Sequence, residues 1–135
     1  MEYPILTRMN IKSYLYDLTR SLSLDSLNMQ FPDCELNAEK IKVIMINEVP
    51  PQNPDDWFYS TAESPGYMKT TLALFENAGV DVKSISDILG LGIYITTAVK
   101  TPKTGYMVNP EAVKAQLLLL EAEIKLFPNL KVIML

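Results

Sequence analysis

The side chains whose type and spacing can do chemistry are Glu48, the run Trp57-Phe58-Tyr59, the pair Thr96-Thr97, and the lysines Lys100 and Lys103. Glu48 stands just past the apolar run 41–46, where a strand can hold a carboxylate rigidly at the edge of a cleft. Such a group can orient a water or stabilise developing positive charge; it can equally cap the amides of its own loop. Three consecutive rings in a loop can stack on a flat ligand or pin the loop to the domain, and both readings stand. Thr96 and Thr97 close the second apolar run with hydroxyls that can donate to or accept from a ligand edge, although threonine is also an ordinary strand residue. Lys100 and Lys103 follow within reach of a phosphate.

What is missing narrows the chemistry further. The sequence has no histidine and one cysteine, Cys34. Within the chain this excludes Ser-His-Asp and Cys-His catalysis, an internal disulfide, and a cysteine-based zinc or iron-sulfur site. There is no glycine-rich phosphate loop and no dinucleotide fingerprint, so neither a metal nor a cofactor is expected. A formal net charge of -4 disfavours a general nucleic-acid coat protein while leaving a local DNA-binding cleft open. Residues 1–10 carry no apolar run after a basic start, and runs such as Leu117 to Leu120 are too short for a bilayer, so no membrane partner and a cytoplasmic location are expected.

Positioning those residues requires a sheet. At 135 residues and 48% hydrophobic, the chain supports one core. Ile11, Leu15, Leu18 and Leu22 give residues 9–27 the spacing of an amphipathic helix. Residues 30–36 read as a loop, and the β-branched run 41–46 as a strand buried on both faces. Pro50, Pro51, Pro54 and Pro65 then mark a loop over 47–66, far longer than an ordinary strand-to-helix connection and therefore functional or mobile.

Ser64-Pro65 opens a helix carrying Met68, Leu72, Leu74 and Phe75 that stops at Gly79, and a short helix covers 84–89. Gly90 and Gly92 bracket the entry to a second strand, 93–97, and 100–106 is again an extended loop. Asn109-Pro110-Glu111 caps a long helix through Leu126, ended by Phe127-Pro128, and 130–135 is a third buried strand. Strands alternating with helices predict a three-layer α/β/α fold around a mainly parallel sheet. Ligands of such sheets bind beyond the carboxyl ends of the strands, which places 47–59 and 97–106 on one rim.

Two segments resemble motifs of the uracil-DNA glycosylase superfamily, especially the branch of thermostable bacterial and archaeal enzymes. Val43-Ile44-Met45-Ile46-Asn47-Glu48-Val49-Pro50-Pro51 resembles that branch's strand followed by a Gly-Glu-x-Pro-Gly loop. Ile93-Tyr94-Ile95-Thr96-Thr97-Ala98-Val99-Lys100-Thr101-Pro102 resembles its strand ending in Thr-Asn-x-x-Lys, in the same order and at similar spacing. The likeness covers roughly residues 38–135. Asn47 and Pro51 stand where the family has glycines, Thr97 where it has asparagine, and the branch's iron-sulfur cysteines are absent.

The resemblance implies a divergent glycosylase that flips a nucleotide out of DNA and hydrolyses the N-glycosidic bond of uracil or another damaged base, as in base-excision repair. It implies Glu48 as the catalytic carboxylate, Phe58 or Tyr59 stacked on the base, Asn47 and Thr97 beside it, and Lys100 near the DNA phosphates. The expectation is a single glycosylase-like domain over 1–135 that lacks the C-terminal part in which the family carries its late histidine motif. A second reading, from a different class, is a non-catalytic module that uses the same rim to hold a nucleotide or a protein partner.

Overall fold

The β-branched runs pair side by side. In a computed structural model that describes residues 8–60, 66–102 and 110–135, β3 (Val43–Asn47) and β4 (Ile93–Thr97) are parallel neighbours, in register from Val43 opposite Ile93 to Asn47 opposite Thr97. On the other side of β3 runs β5 (Val132–Met134), also parallel, which gives the order β4-β3-β5. Parallel neighbours need crossovers over a face of the sheet. Between β3 and β4 the chain forms α2 (Gly66–Asn77) and α3 (Ile85–Gly90); between β4 and β5 it forms α4 (Pro110–Ile124).

Side chains alternate across a strand, so each face collects its own apolar set. Ile44, Ile46 and Tyr94 pack with Leu119 of α4, with Phe127, and with Ile11 and Leu15 of α1 (Ile11–Ser21). Met45, Ile93 and Ile95 pack with Trp57 and Phe58, with Met68 of α2 and with Ile88 of α3. The crossover that leaves β3 therefore covers one face and the crossover that leaves β4 covers the other. The result is a mixed α/β arrangement, with four helices and a small three-stranded parallel sheet among the described residues.

Local chemistry sets the ends of these elements. Asn10 caps α1, its side-chain oxygen accepting the Ser13 N–H at 2.9 Å, and Ser84 caps α3 by accepting the Asp87 N–H at 3.2 Å. Beyond α2, Gly79 takes a left-handed φ of 81° while the Val80 N–H reaches back to the Phe75 carbonyl at 2.8 Å.

Gly92 has the more exacting position. Its φ is 87°, and a Cβ there would lie 2.8 Å from the Lys40 carbonyl oxygen. Its own carbonyl accepts the N–H groups of Lys42 and Val43, at 2.8 and 3.1 Å, tying the entries of β3 and β4 together. Gly92→Ala is expected to cost about 1–3 kcal/mol from the left-handed backbone alone, with the close contact adding to it. A drop of that size in the urea midpoint at unchanged slope would bear this out; a neutral substitution would not.

Five features differ from the sequence expectation, the first being β3 itself, which runs Val43–Asn47 rather than 41–46 and is half-buried except at Ile44. Residues 8–37 hold a two-stranded antiparallel ribbon, β1 (Arg8–Asn10) with β2 (Glu35–Asn37), where the sequence predicts a loop through 30–36. α1 ends at Ser21, short of residue 27. α4 ends at Ile124 rather than running through Leu126. β5 is not a buried strand: Val132, Ile133 and Met134 are 48%, 47% and 49% exposed, because neither apolar cluster reaches them, whereas β4, the other edge strand, is packed on both faces. The expected cap at Ser64-Pro65, Asn109 and Lys103 fall outside the described residues. No helix among the described residues is long and apolar enough to cross a membrane.

Candidate functional site

The register of β3 against β4 puts the two motif segments at the same level. Asn47 is opposite Thr97 at the carboxyl ends of the strands. Past that pair the ladder continues into the loops: the Ala98 N–H donates to the Asn47 carbonyl at 2.8 Å and the Val99 N–H to the Glu48 carbonyl at 3.1 Å. A third segment joins them through Gln30. Its backbone N–H donates to the Lys100 carbonyl at 2.8 Å, and its side-chain amide to the Pro51 carbonyl at 3.2 Å. Three stretches distant in sequence are thus stitched into one rim, on which Glu48 is exposed and Asn47 half-buried.

The rings serve chiefly as anchors. Trp57 and Phe58 are 5% and 6% exposed and pack against Ile95 and α2/α3. Phe58 meets Tyr67 edge-on at 5.7 Å between centroids, and Trp57 meets Tyr59 in a T-shaped contact at 5.2 Å. The Tyr59 hydroxyl donates to the Ile95 carbonyl in β4. Stapling the 54–60 stretch to the sheet this way holds an otherwise proline-rich loop close to the rim. Trp57 and Tyr59 also wall a cleft of about 330 Å³ shared with Gln30, Phe31, Asp33 and Asp55, a size at the small end of ligand pockets. Neither Phe58 nor Glu48 lines it.

Lys100 requires a correction. The resemblance places it near DNA phosphates, but it is fully buried and its ammonium is consumed internally. Nζ donates to Glu123 Oε1 at 2.7 Å, to the Thr97 carbonyl at 2.5 Å and to Thr96 Oγ1 at 2.9 Å. Glu123, on α4 and also fully buried, takes the hydroxyls of Tyr94 and Thr96 on its other oxygen at 2.5 and 2.6 Å. Gln116, two turns earlier on the same face of α4, accepts the Lys100 backbone N–H at 2.5 Å. An ammonium has three protons to give, and here all three are given to the interior. Thr96 likewise faces Glu123 rather than a ligand.

Thr97 is the exception to this full satisfaction. It is 1% exposed, and its Oγ1 has no hydrogen-bond partner among the described residues. Buried hydroxyls without partners are uncommon and call for an explanation. By strand alternation Thr97 shares the face of Ile95, toward the ring-bearing loop.

Three further groups favour their neutral forms: the half-buried Cys34 and Tyr59 and the fully buried Tyr94. Burial pushes the Cys34 thiol up from 9.0 to about 12, with Asp33 and Glu123 adding to the effect. Burial also raises the hydroxyls of Tyr59 and Tyr94 well above 10.0. Cys34 is therefore a poor nucleophile. Because the native state holds these protons more tightly than the unfolded chain, their contribution to stability is complete below about pH 9 and is lost as pH rises toward about 12. The urea midpoint is expected to fall across that interval; a midpoint that stays flat to about pH 11 would contradict the burial.

Of the residues singled out from sequence, the structure brings Asn47, Glu48 and Thr97 to one rim with Tyr59 nearby. It places Phe58 in the core and Lys100 in a buried ion pair. Gln30, Gln116 and Glu123 are the residues that sequence reasoning did not find. No group of three acidic or cysteine side chains among the described residues is arranged to hold a metal ion. Compared with known proteins, the chain matches no family model, no curated protein and no solved structure.

Proposed function

We propose that the chain is a glycosylase-like protein that acts on DNA, hydrolysing the bond between a deoxyribose and uracil or another altered base. The observation that carries this reading is the junction of β3 and β4, where an exposed carboxylate at Glu48 and a buried, unpartnered hydroxyl at Thr97 leave adjacent parallel strands. The chain reverses its direction across the sheet at β3, and the crossovers from β3 and β4 depart on opposite faces. That is where open α/β sheets bind ligands.

On this reading the base is drawn out of the stack toward the rim, with the Tyr59 ring, held through its hydroxyl, as a flat wall. The Thr97 hydroxyl, closed off from solvent and without a partner among the described residues, hydrogen-bonds an edge of the base once the loop over it is displaced by the incoming nucleotide. As the C–N bond breaks, its electron pair leaves with the base and positive charge grows on the sugar. The Glu48 carboxylate stabilises that charge, orients the water that adds to C1′ and takes the proton that water sheds, which the departing base anion finally receives. Lys100 takes no part in phosphate contact; its place is structural.

A single-turnover assay on end-labelled oligonucleotides, one strand or two, each carrying one deoxyuridine, tests the reading with the protein at its full natural length. Abasic product above the no-protein rate is expected. Retention of the oligonucleotide without abasic product would favour the non-catalytic binding module on the same rim. Neither product nor retention would remove both readings.

A further inference from the structure

The Thr97–Ala98 peptide is held at both ends: its carbonyl accepts the Lys100 ammonium at 2.5 Å and its N–H donates to the Asn47 carbonyl at 2.8 Å. The next amide, Val99, donates to the Glu48 carbonyl. The orientation of this one peptide therefore sets both the Thr97 side chain and the distance to the Glu48 segment. The Lys100 side chain, in turn, has no freedom of its own. It is fully buried, and its other two protons go to Glu123 and to Thr96, which Glu123 also holds.

We infer that Glu123 is a positioning residue for the rim, acting from α4 through Lys100 on the Thr97–Ala98 peptide. The importance of that position rests on the glycosylase reading, but the mechanical claim does not. Glu123 accepts three hydrogen bonds, from Tyr94, Thr96 and Lys100, which are respectively the second and fourth residues of β4 and a residue of the loop beyond. Gln116, two turns earlier on α4, takes the Lys100 backbone N–H and donates to Thr101 Oγ1 at 3.3 Å. One helix face thus grips the exit of β4 at two heights. An ion pair serving only as filler would not need its cation to reach back three residues to the carbonyl at the strand end. Such a pair is a weak source of net stability, and its attested use is to fix one arrangement among several.

The test is amide hydrogen exchange on wild-type protein and Glu123→Gln, read residue by residue. Gln keeps the size of the side chain and removes the charge that holds Lys100. Protection at Ala98 and Val99 is expected to fall by about tenfold or more beyond any change at Leu15 or Ile44, because the exit of β4 is loosened in addition to whatever stability the whole fold loses. An equal fall at all four amides, or none, would overturn the inference, since a merely structural pair weakens the whole fold together.

Should Glu123→Gln not fold, the variant Tyr94→Phe, Thr96→Val, Lys100→Met, Glu123→Leu replaces the network with apolar side chains and carries the same expectation at Ala98 and Val99. Where the wild-type protein releases base, Glu123→Gln is also expected to lower kcat more than it changes KM. If the wild-type protein releases none, the glycosylase reading fails and the exchange result still decides the positioning claim.

Discussion

Glu48→Gln is expected to slow single-turnover base release by about a hundredfold to a thousandfold, the range over which a positioned carboxylate contributes to proton handling and charge stabilisation. Glu48 lies on the exposed rim and outside both apolar clusters, so the substitution should leave folding intact. On the glycosylase proposal, retention of the oligonucleotide should stay the same or tighten, because a negative charge is removed from the surface proposed to meet phosphates. Loss of rate with retained binding is the pattern of a group that acts in the transition state rather than in the ground state. Equal rates for the two proteins would remove Glu48 from the chemistry.

The second large effect is on stability. Glu123→Ala strips a fully buried lysine of its counter-charge and leaves the hydroxyls of Tyr94 and Thr96 without an acceptor. Removing one partner of a buried pair costs about 3–5 kcal/mol, and the urea midpoint should move accordingly. The fourfold variant Tyr94→Phe, Thr96→Val, Lys100→Met, Glu123→Leu should come within about 2 kcal/mol of wild type, since no charge is then stranded. A mild cost for the alanine variant, below about 1 kcal/mol, would mean that water reaches the site and that the pair is not closed.

How far the sequence discloses this arrangement depends on the range of the interactions involved. β4 is legible as Ile93–Thr97, and β3 nearly so, because each is a short β-branched run bounded by turn residues, and that pattern is local. The capping by Asn10 and Ser84 is equally local, within three positions, but is not part of the sequence expectation, which puts Asn10 inside the first helix. By contrast, β1 and β2 are three residues each, too short to show a period, and their pairing of Met9 with Leu36 spans a whole helix. The exposure of β5 is not readable from Val132-Ile133-Met134, whose composition suits a buried strand equally well.

The candidate site is visible in the sequence only in part for the same reason. Asn47, Glu48 and Thr97 lie at strand ends, and strand ends of a parallel sheet share a rim. The destination of Lys100 depends on a residue 23 positions away. A signal for it does exist in α4: the buried positions are Gln116, Leu119, Glu123 and, just past the helix, Phe127, at helical spacing, whereas Leu117 and Leu118 of the conspicuous leucine run are 52% and 60% exposed. An apolar stripe broken by one amide and one carboxylate marks a helix that brings polar partners into the core. Those partners are to be sought among the cations of neighbouring strand ends. The rings at 57–59 show the converse, since adjacency in a loop suggests a stacking platform and packing makes most of it an anchor.

The most direct test of the rim as the binding site is to follow backbone amide shifts while adding an oligonucleotide whose single deoxyuridine is fluorinated at C2′, so that the glycosidic bond resists hydrolysis. Shifts concentrated at Asn47, Glu48, Tyr59 and residues 97–100 are predicted. Shifts confined to the separate cleft around Gly79, Val80 and Lys83, or none at all at concentrations where the oligonucleotide is retained, would contradict the account.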